Sequence, residues 1–547
     1  MAETNLTWYK DAIFYEVYIR AFKDGNGDGH GDLIGLTEEL DYFKNLGVDC
    51  LWLSPMYPSP LRDDGYDISD YYNIHPDYGT LDDFKRLIAE AKKRGIRIIT
   101  DLVMNHTSDM HPWFQSARQS KDSPYRDWYV WSDTDEKYSE TRIIFLDTEP
   151  SNWTYDEVAG QYFWHRFYRT QPDLNWDNPA VIEEFKNIAR FWLSLGLDGF
   201  RADAVPYLIE REGTSNENLP ETHVILKNFR AFMEEEFPGA ILLGEANMWP
   251  WDLRPYFADG DEFQMCFHFP VMPRLFMAVK KGDAADVINI MERTPDIPDN
   301  CQWCTFLRNH DELTLEMVTE EERQWMWQQY APEDRMRLNL GIRRRLAPLL
   351  DNDRRKIELL NVVLFSLPGS PIIYYGDEIG MGDNIWLFDR NGVRTPMQWK
   401  DAPNGGFSTA DETYAPVIDD EVYGYQEVNV ENALLNDCSL WHWTRYLIAM
   451  RKAHPVLSRG TYTFVPTGNP AVLAILRESE DEVILALANF SDEPQVARLH
   501  LPQYAENEKK ELFSHMPHGC ARDEMHRTLM EPYEYQWLLM VPNGKDQ

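Results

Sequence analysis

A unit of amphipathic helix, glycine and short apolar strand recurs along the first four hundred residues, and it constrains the fold more strongly than any other feature. Gly47, Gly95 and Gly196 each follow such a helix and precede such a strand. The apolar faces of the three helices comprise Leu36, Leu40, Phe43 and Leu46; Phe84, Leu87, Ile88 and Ala91; and Ile182, Phe185, Ile188 and Leu195. A repeated helix and strand predicts an α/β fold with a parallel sheet and right-handed crossovers.

The residues that end the strands favour one α/β fold over another. The predicted strands run into polar residues, such as Asn105-His106 and Asp203. In a (β/α)8 barrel the active site collects at that end of the strands. An open doubly wound sheet is the alternative, but no GxGxxG motif follows the first strand. We therefore predict a (β/α)8 TIM barrel.

Two stretches depart from the repeat and predict further domains. Residues 107–172 are rich in Trp, Tyr, Ser and Asp and too long for a plain loop, which indicates an inserted subdomain after the third strand. After about residue 455 apolar and polar residues alternate, which is typical of antiparallel strands. The predicted domains are a barrel of 1–106 and 173–454, the inserted subdomain 107–172, and a C-terminal antiparallel β-sandwich over 455–547.

The acidic composition narrows the range of partners. Lys and Arg number 53 against 91 Asp and Glu, so the net charge is −38. Such a surface repels phosphate backbones and anionic lipid, which argues against nucleic-acid and membrane partners. The N-terminus lacks a basic start followed by an apolar run, and no stretch reaches the roughly 18 apolar residues of a membrane helix. Six cysteines, including Cys301, Cys304 and Cys520, are too few for a disulfide scaffold. We expect a cytoplasmic protein and leave a homo-oligomer open.

Three carboxylates at predicted strand ends suit acid–base chemistry. Arg201 and Asp203 are two apart on one strand, so their side chains share a face, and the guanidinium should lower the pKa of Asp203. An ionised carboxylate can act as a nucleophile. Glu245 ends another apolar strand, where burial should raise its pKa toward use as a general acid. Each carboxylate alone could be structural, but these two together with Asp311 and His106 indicate a catalytic site.

Four segments resemble the signature regions of the α-amylase family of glycoside hydrolases, in that family's order. They are 101–106, 199–203, 244–247 and 309–311, and 171–175 resembles an additional fifth region. The resemblance implies that Asp203 is the nucleophile, Glu245 the general acid/base, and Asp311 the carboxylate that binds the 2- and 3-hydroxyls of the sugar. It also implies a retaining double displacement that needs no cofactor for the chemistry.

Single residues that match other family positions imply how the sugar binds. Asp63 and Tyr66 resemble the group that holds the non-reducing glucose, with Tyr66 stacked on its apolar face, and Arg394 resembles the arginine that joins Asp63 at the 4-hydroxyl. His106 and His310 resemble ligands of the 6-hydroxyl and of the 2- and 3-hydroxyls. The predicted substrate-binding residues are Asp63, Tyr66, His106, Glu149, Arg201, His310 and Arg394. The resemblance implies an exo-acting, disaccharide-sized pocket.

Two structural metal sites are predicted. The loop 24–32 alternates oxygen-bearing side chains with glycines and could wrap calcium or magnesium, although without an ion it would be an ordinary turn. Its candidate ligands are Asp24, Asn26, Asp28, His30 and Asp32. A second site, for calcium, is implied only by the resemblance. Its ligands would be the side chains of Asn105, Asp173 and Glu210 and the carbonyls of Tyr207 and Leu208.

A finer resemblance within the family is to its members that interconvert maltose and trehalose. Segments 161–167, 341–350 and 389–396 carry it, and Glu149 matches a loop position near the second glucose. It implies isomerisation of these two disaccharides with minor hydrolysis to glucose. The alternative is an exo-acting α-glucosidase or oligo-1,6-glucosidase, in which water reaches the glucosyl-enzyme. An inactive binding subunit is disfavoured because such relatives lose the active-site carboxylates, which this chain keeps. Transfer of the glucosyl group to a separate acceptor, such as free glucose, remains a further alternative.

Overall fold

The computed structural model describes residues 6–505, 507–514 and 525–542, and at its centre eight parallel strands close into a barrel. Each strand pairs with the next along the chain, and the eighth pairs with the first, with Phe14 opposite Ile372. Every residue of these strands except Arg97 is buried, as expected for a parallel sheet covered by helices. In chain order the strands are Phe14–Val17, Cys50–Leu53, Arg97–Val103, Gly199–Asp203, Ile241–Gly244, Met265–Phe267, Gln302–Phe306 and Ser370–Tyr374. The predicted barrel is confirmed.

Helices surround the barrel, and glycines end two of them as predicted. Gly47 and Gly95 have φ values of 100° and 75°, a left-handed geometry that glycine adopts easily. The first predicted helical face is split between two helices, because the chain leaves helical geometry at Glu39, whose N–H closes the first helix onto the Gly35 carbonyl. The α-helices of the barrel and its loops are Ile19–Phe22, Leu33–Glu38, Leu40–Leu46, Leu81–Arg94, Pro179–Ser194, Pro220–Glu236, Pro250–Leu253, Val271–Lys281, Ala285–Glu292, Glu320–Tyr330, Leu346–Leu349, Arg354–Ser366, Val430–Leu435 and Leu440–Ala453.

The stretch after the third barrel strand forms the predicted inserted subdomain. It holds the helix Pro112–Gln119 and an antiparallel sheet in the order Trp131–Ser132, Gln161–Trp164 and Trp153–Asp156. Phe114 packs against Trp131 and Phe163, so the helix and the sheet share an aromatic core. A second excursion follows the seventh strand and contains a small sheet of Leu313–Thr314, Gly341–Ile342 and Arg337–Leu338.

The C-terminal region forms the predicted antiparallel β domain. The helix Val456–Arg459 leads into it. One sheet has the order Thr461–Phe464, Val472–Glu478, Val483–Asn489, Tyr535–Val541 and Glu508–Ser514, and a second pairs Gln495–His500 with Met525–Met530. Leu485 of the first sheet and Leu499 of the second belong to one apolar cluster, which makes the pair a sandwich. The exact domain limits stay a prediction, and Cys520 lies outside the described residues.

Among the described residues, no helix is both long and apolar enough to span a bilayer.

Candidate active site

The carboxyl ends of four barrel strands bring the predicted catalytic residues to one cavity. Asp203 ends the fourth strand, Glu245 follows the fifth, Asp311 follows the seventh and His106 follows the third. All four line the cavity. Its volume is about 130 Å³, below the roughly 300–1,000 Å³ usual for ligand pockets, so the site is small.

Arg201 connects the two central carboxylates. This buried guanidinium donates from Nη1 to Asp203 Oδ1 at 2.5 Å and from Nη2 to Glu245 Oε1 at 2.7 Å, and Nη1 also contacts Asp101. Burial raises the pKa of Asp203 to about 6 and that of Glu245 to about 8, although Arg201 lowers both. Arg201 thus lowers the pKa of Asp203 as predicted, but the net shift is upward because desolvation outweighs the guanidinium. Near pH 7, Asp203 is nevertheless mainly ionised while Glu245 mainly keeps its proton.

Asp311 remains ionised for a different reason. Burial alone would raise its pKa, but the neighbouring histidine and three arginines outweigh burial and hold the pKa below the usual range. Its Oδ1 accepts from Arg390 Nη1 at 2.8 Å and from Arg394 Nη2 at 3.2 Å, and its Oδ2 lies 3.3 Å from His310 Nε2. Asp311 is therefore an acceptor, and its arrangement suits binding of sugar hydroxyls.

The arginine beside Asp63 is Arg390 and not the predicted Arg394. Arg390 Nη2 donates to Asp63 Oδ1 at 2.6 Å, and the same guanidinium reaches Asp311. Arg394 does not line the cavity, since its Nε donates to the His310 carbonyl at 2.9 Å. The prediction chose the wrong arginine of the segment 389–396: a short 3-10 turn, Asp389–Val393, directs the earlier one into the cavity.

Tyr66, His106 and His310 all line the cavity. The ring of Tyr66 stacks on that of His310 with centroids 5.2 Å apart and an interplanar angle of 10°, so one aromatic face is already covered. His106 Nε2 lies 3.1 Å from the Tyr66 carbonyl, which ties the third strand end to the loop 63–66. Burial lowers the pKa of His106 to about 4, so this ring is neutral at pH 7.

Glu149, like Arg201 and Arg394, is a predicted substrate ligand that does not line the cavity. Its carboxylate accepts from the backbone N–H of Arg169 at 3.1 Å and pairs with the Arg169 guanidinium at 3.2 Å. The backbone N–H of Glu149 donates to the carbonyl of Phe145 at 2.9 Å and closes a turn, and Phe145 lines the cavity. Glu149 therefore supports the position of Phe145 in the cavity wall without lining the cavity itself.

Sequence reasoning missed several residues that position the site. Glu16, on the first strand, contacts His310 Nδ1 at 2.5 Å, and Gln171 Nε2 donates to Asp63 Oδ2 at 2.8 Å. An acidic residue within the apolar first strand was the available signal for Glu16. Gln171 and Asp101 lie inside the quoted signature segments, so their roles could have been found there, but their partners depend on the barrel's closure.

The predicted N-terminal metal ligands bind their own loop. The side-chain oxygens of four of them accept hydrogen bonds from backbone N–H groups of the segment 25–35: Asp24, Asn26, Asp28 and Asp32. His30 Nδ1 lies 3.4 Å from Arg20 Nε. Within the described ranges, no group of three or more His, Cys, Asp or Glu side chains is arranged to hold a metal ion. This metal site stays a prediction.

The second predicted set has the donor chemistry that a hard cation requires. Asn105 Oδ1, Asp173 Oδ2 and Glu210 Oε1 are all buried without a hydrogen-bond partner. Burial raises the pKa of Asp173 to about 8, and burial with the nearby charge of Asp173 raises that of Glu210. Tyr207 and Leu208 lie in the turn between Asp203 and Glu210. Oxygen ligands of this kind suit calcium.

Two segments outside the barrel form the rim of the cavity. The lining residues from the inserted subdomain are Ile144, Phe145 and Phe167, and those from the excursion after the seventh strand are Glu312, Thr314 and Glu316. Arg142 joins the two segments, because its Nη1 donates to Glu316 Oε2 at 3.1 Å and its Nε to Glu217 Oε1 at 2.8 Å. Asn339 N also donates to Asp147 Oδ2 at 2.8 Å. These contacts join segments whose other residues line the cavity.

Comparison with known domain families agrees with this geometry. Residues 16–460 match the family described as Alpha amylase, catalytic domain. The chain belongs to the α-amylase family. In this family member, residues 462–537 also match the Maltogenic Amylase, C-terminal domain.

Individual relatives refine the place of the chain within the α-amylase family. It is 57% identical over 517 residues to Trehalose synthase/amylase TreS of Mycolicibacterium smegmatis, covering 92% of this chain and 87% of that one. Against Oligo-1,6-glucosidase of Parageobacillus thermoglucosidasius the identity is 32%, covering 96% and 98%. The crystal structure of trehalulose synthase MutB from Pseudomonas mesoacidophila MX-45 superposes with a TM-score of 0.79 at 30% identity, covering 97% and 99%. The chain therefore belongs with the trehalose synthases of the family.

Proposed function

We propose that this α-amylase family chain interconverts maltose and trehalose by transferring a glucosyl group within a closed site. The observation that carries the proposal is the pairing of Asp203 and Glu245 on Arg201, with separated pKa values, inside a cavity of about 130 Å³. The relative named Trehalose synthase/amylase, at 57% identity, supports the choice of these disaccharides.

In the first step Glu245 donates its proton to the glycosidic oxygen while ionised Asp203 attacks the anomeric carbon. The bond from that carbon to the glycosidic oxygen breaks, a glucosyl ester forms on Asp203, and free glucose is released into the cavity. The carboxylates of Asp311 and Asp63 accept hydrogen bonds from the hydroxyls of the bound ring, and Arg390, which contacts both, donates to them. These bonds hold the anomeric carbon against Asp203.

In the second step the released glucose turns and presents its anomeric hydroxyl. Glu245, now ionised, takes the proton from that hydroxyl, whose oxygen attacks the ester and frees the Asp203 carboxylate. Two inversions at one carbon retain the α configuration. The new 1,1 linkage makes trehalose, and the reverse sequence returns maltose.

Exclusion of water separates this reaction from hydrolysis, because water competes for the same ester. The rim contacts through Arg142 and Asn339 keep the cavity narrow, and sequestration of this kind is a known way to suppress side reactions. Because the cavity is smaller than usual for a disaccharide-sized ligand, the proposed reaction requires the rim segments to move apart when substrate enters.

We also propose that Asn105, Asp173 and Glu210 hold a structural calcium ion. Their unpartnered buried oxygens support this assignment, and such an ion would tie the chain at Asp173, just after the insert, to the loop after the fourth barrel strand. The N-terminal loop is a second, weaker proposal for calcium or magnesium.

Carbon-13 NMR of the products from labelled maltose tests the function. We expect a 1,1-linked trehalose signal as the main product, a minor glucose signal, and little incorporation of separately added labelled glucose. Two glucose molecules per maltose without a 1,1 signal would instead identify an exo-acting α-glucosidase. Full incorporation of added glucose would indicate an independent acceptor. Asp203→Asn protein serves as the blank.

A further inference from the structure

A second concave site lies on the opposite face of the barrel from the catalytic cavity. It adjoins the starts of the first three strands, since Ala12, Asp49 and Arg97 line it, whereas the catalytic residues follow the other strand ends. Ser458 and Arg459 of the helix that leads to the C-terminal domain form another wall. We call this site the basal pocket. Its volume of about 600 Å³ is in the usual range for small-molecule sites.

The basal pocket is basic although the chain carries a net charge of −38. The charged residues that line it are four cations and two carboxylates: Arg97, Arg451, Lys452, Arg459, Asp11 and Asp49. Three of the cations have a carboxylate partner, with Arg97 at 2.7 Å from Asp198, Lys452 at 2.5 Å from Asp49, and Arg459 at 2.5 Å from Asp11. These pairs are partly exposed, and ion pairs of that kind contribute only about 0–1 kcal/mol, so another anion can replace a carboxylate.

Arg451 is the cation without a carboxylate partner among the described residues. It is buried, its Nη atoms donate to the carbonyls of Phe365 and Gly369, and its Nε has no partner. Burial and the neighbouring Arg477 lower its pKa to about 9, and Asp11 opposes this shift only in part. An unpaired buried charge is costly, and an anion in the pocket would offset that cost.

We propose that the basal pocket binds a small molecule that carries a phosphate monoester group. A phosphate dianion supplies several strong acceptors, and guanidinium and ammonium groups donate to such oxygens with charge-assisted hydrogen bonds. The concave shape and limited volume exclude a nucleic-acid strand. Because the walls come from both the barrel and the helix Val456–Arg459, the ligand holds these elements together and stabilises the native state by mass action.

Calorimetric titration of the purified chain with inorganic phosphate, with a hexose phosphate and with glucose tests the proposal, at constant ionic strength. We expect binding of the phosphate compounds, no binding of glucose at this site, and a phosphate-dependent rise in melting temperature. Glucose could also release heat by binding in the catalytic cavity. Asp203→Asn protein is therefore used, with its catalytic cavity saturated by maltose. Equal affinity for both phosphate compounds identifies the phosphate group as the determinant, and tighter binding of the hexose phosphate adds a contribution from the sugar.

Two substitutions and a matched control locate the site. Lys452→Gln and Arg459→Gln should each weaken phosphate binding by about tenfold. Lys85→Gln removes a more exposed lysine that pairs with Asp82 away from the pocket and should leave binding unchanged. The proposal is overturned if neither phosphate compound binds, or if the control weakens binding as much as the pocket variants. If either pocket variant folds poorly, phosphorus NMR titration of the unsubstituted chain still decides whether binding occurs.

Discussion

At the scale of single residues, one guanidinium serves two carboxyl groups that must do opposite work. Asp203 and Glu245 both contact Arg201, and burial raises the pKa of each. The order of their pKa values, about 6 and about 8, leaves one carboxylate and one carboxylic acid near neutral pH. Such separated values are how two similar side chains take nucleophile and acid roles.

A bell-shaped pH profile should result. Below pH about 6, Asp203 gains a proton and can no longer attack; above pH about 8, Glu245 loses its proton and can no longer protonate the leaving oxygen. Measurement of kcat/KM for maltose between pH 4 and 10 checks this. An activated aryl glucoside needs no proton on its leaving group. With this substrate, the rate of glucosyl-enzyme formation in Glu245→Gln protein should therefore no longer fall at alkaline pH. A flat profile would contradict the assignment.

Asp203→Asn should lower kcat for maltose by about 10⁴-fold or more, because the amide cannot form the glucosyl ester. The matched control is Asp198→Asn, which removes a carboxylate just before the same strand but at its opposite end. That variant should retain activity. Circular dichroism and melting curves show whether both variants fold, and maltose turnover by the Asp203 variant would refute its nucleophile role.

Arg390→Lys should lower kcat/KM for maltose by about 10²-fold. A lysine ammonium cannot bridge Asp63 and Asp311 with the paired geometry of the guanidinium, so the bound ring is less well placed. Arg62→Lys is the control, since Arg62 is a more exposed residue that binds Asp109 outside the cavity. Steady-state kinetics on both variants check the prediction, and equal effects would contradict it.

At the scale of elements, the rim depends on contacts between segments that are far apart along the chain. Arg142 of the inserted subdomain contacts Glu217, after the fourth strand, and Glu316, after the seventh. Arg142 does not itself line the cavity, but it joins segments that do. It is therefore a positioning residue for closure. Closure of this kind determines whether water or the retained glucose meets the glucosyl-enzyme.

Arg142→Gln should raise the share of free glucose among the products of maltose by a factor of about 2–10, because the rim closes less firmly. The rate of maltose consumption should change less than the product ratio. Arg118→Gln breaks an ion pair with Asp156 inside the same subdomain and serves as the control. Product ratios from carbon-13 NMR check the prediction, and an unchanged ratio in Arg142→Gln would contradict it.

At the scale of the whole molecule, the inserted subdomain and the barrel meet at buried oxygens that need a partner. Without a cation, the pKa of Asp173 is raised by burial from 3.8 to about 8, so the native state holds a proton that the unfolded chain releases. The protonated Asp173 carboxyl therefore adds to the free energy of unfolding at low pH, and this contribution is lost as pH rises through about 8. A bound cation removes that dependence.

A chelator should therefore lower the melting temperature by about 2–5 °C at pH 8, and added calcium should restore it. Asp173→Asn should abolish the response to the chelator. Asp177→Asn, which removes an exposed carboxylate paired with Arg211, should keep it. Scanning calorimetry checks these outcomes, and identical chelator responses in the two variants would place the cation elsewhere.

Local patterns in the chain were sufficient to predict the architecture, and they also singled out the carboxylates that the structure brings to one cavity. The spacing of apolar residues, with glycines at helix ends, predicted the barrel and the β domain, because secondary-structure periodicity is a property of neighbouring residues. Asp203, Glu245 and Asp311 were singled out because each lies at or after the end of a strand, and barrel closure brings these strand ends together at the cavity. Their catalytic roles stay a prediction.

Properties that depend on distant residues could not be predicted in the same way. The choice of Arg390 over Arg394 beside Asp63 depends on a turn that packs across the barrel mouth. The net sign of the pKa shift of Asp203 depends on how completely the fold removes water from it, which outweighs the adjacent arginine. The basal pocket combines residues from the first hundred positions with residues 451–459, so no local pattern indicated it. Burial and contact between remote segments arise only when the chain folds.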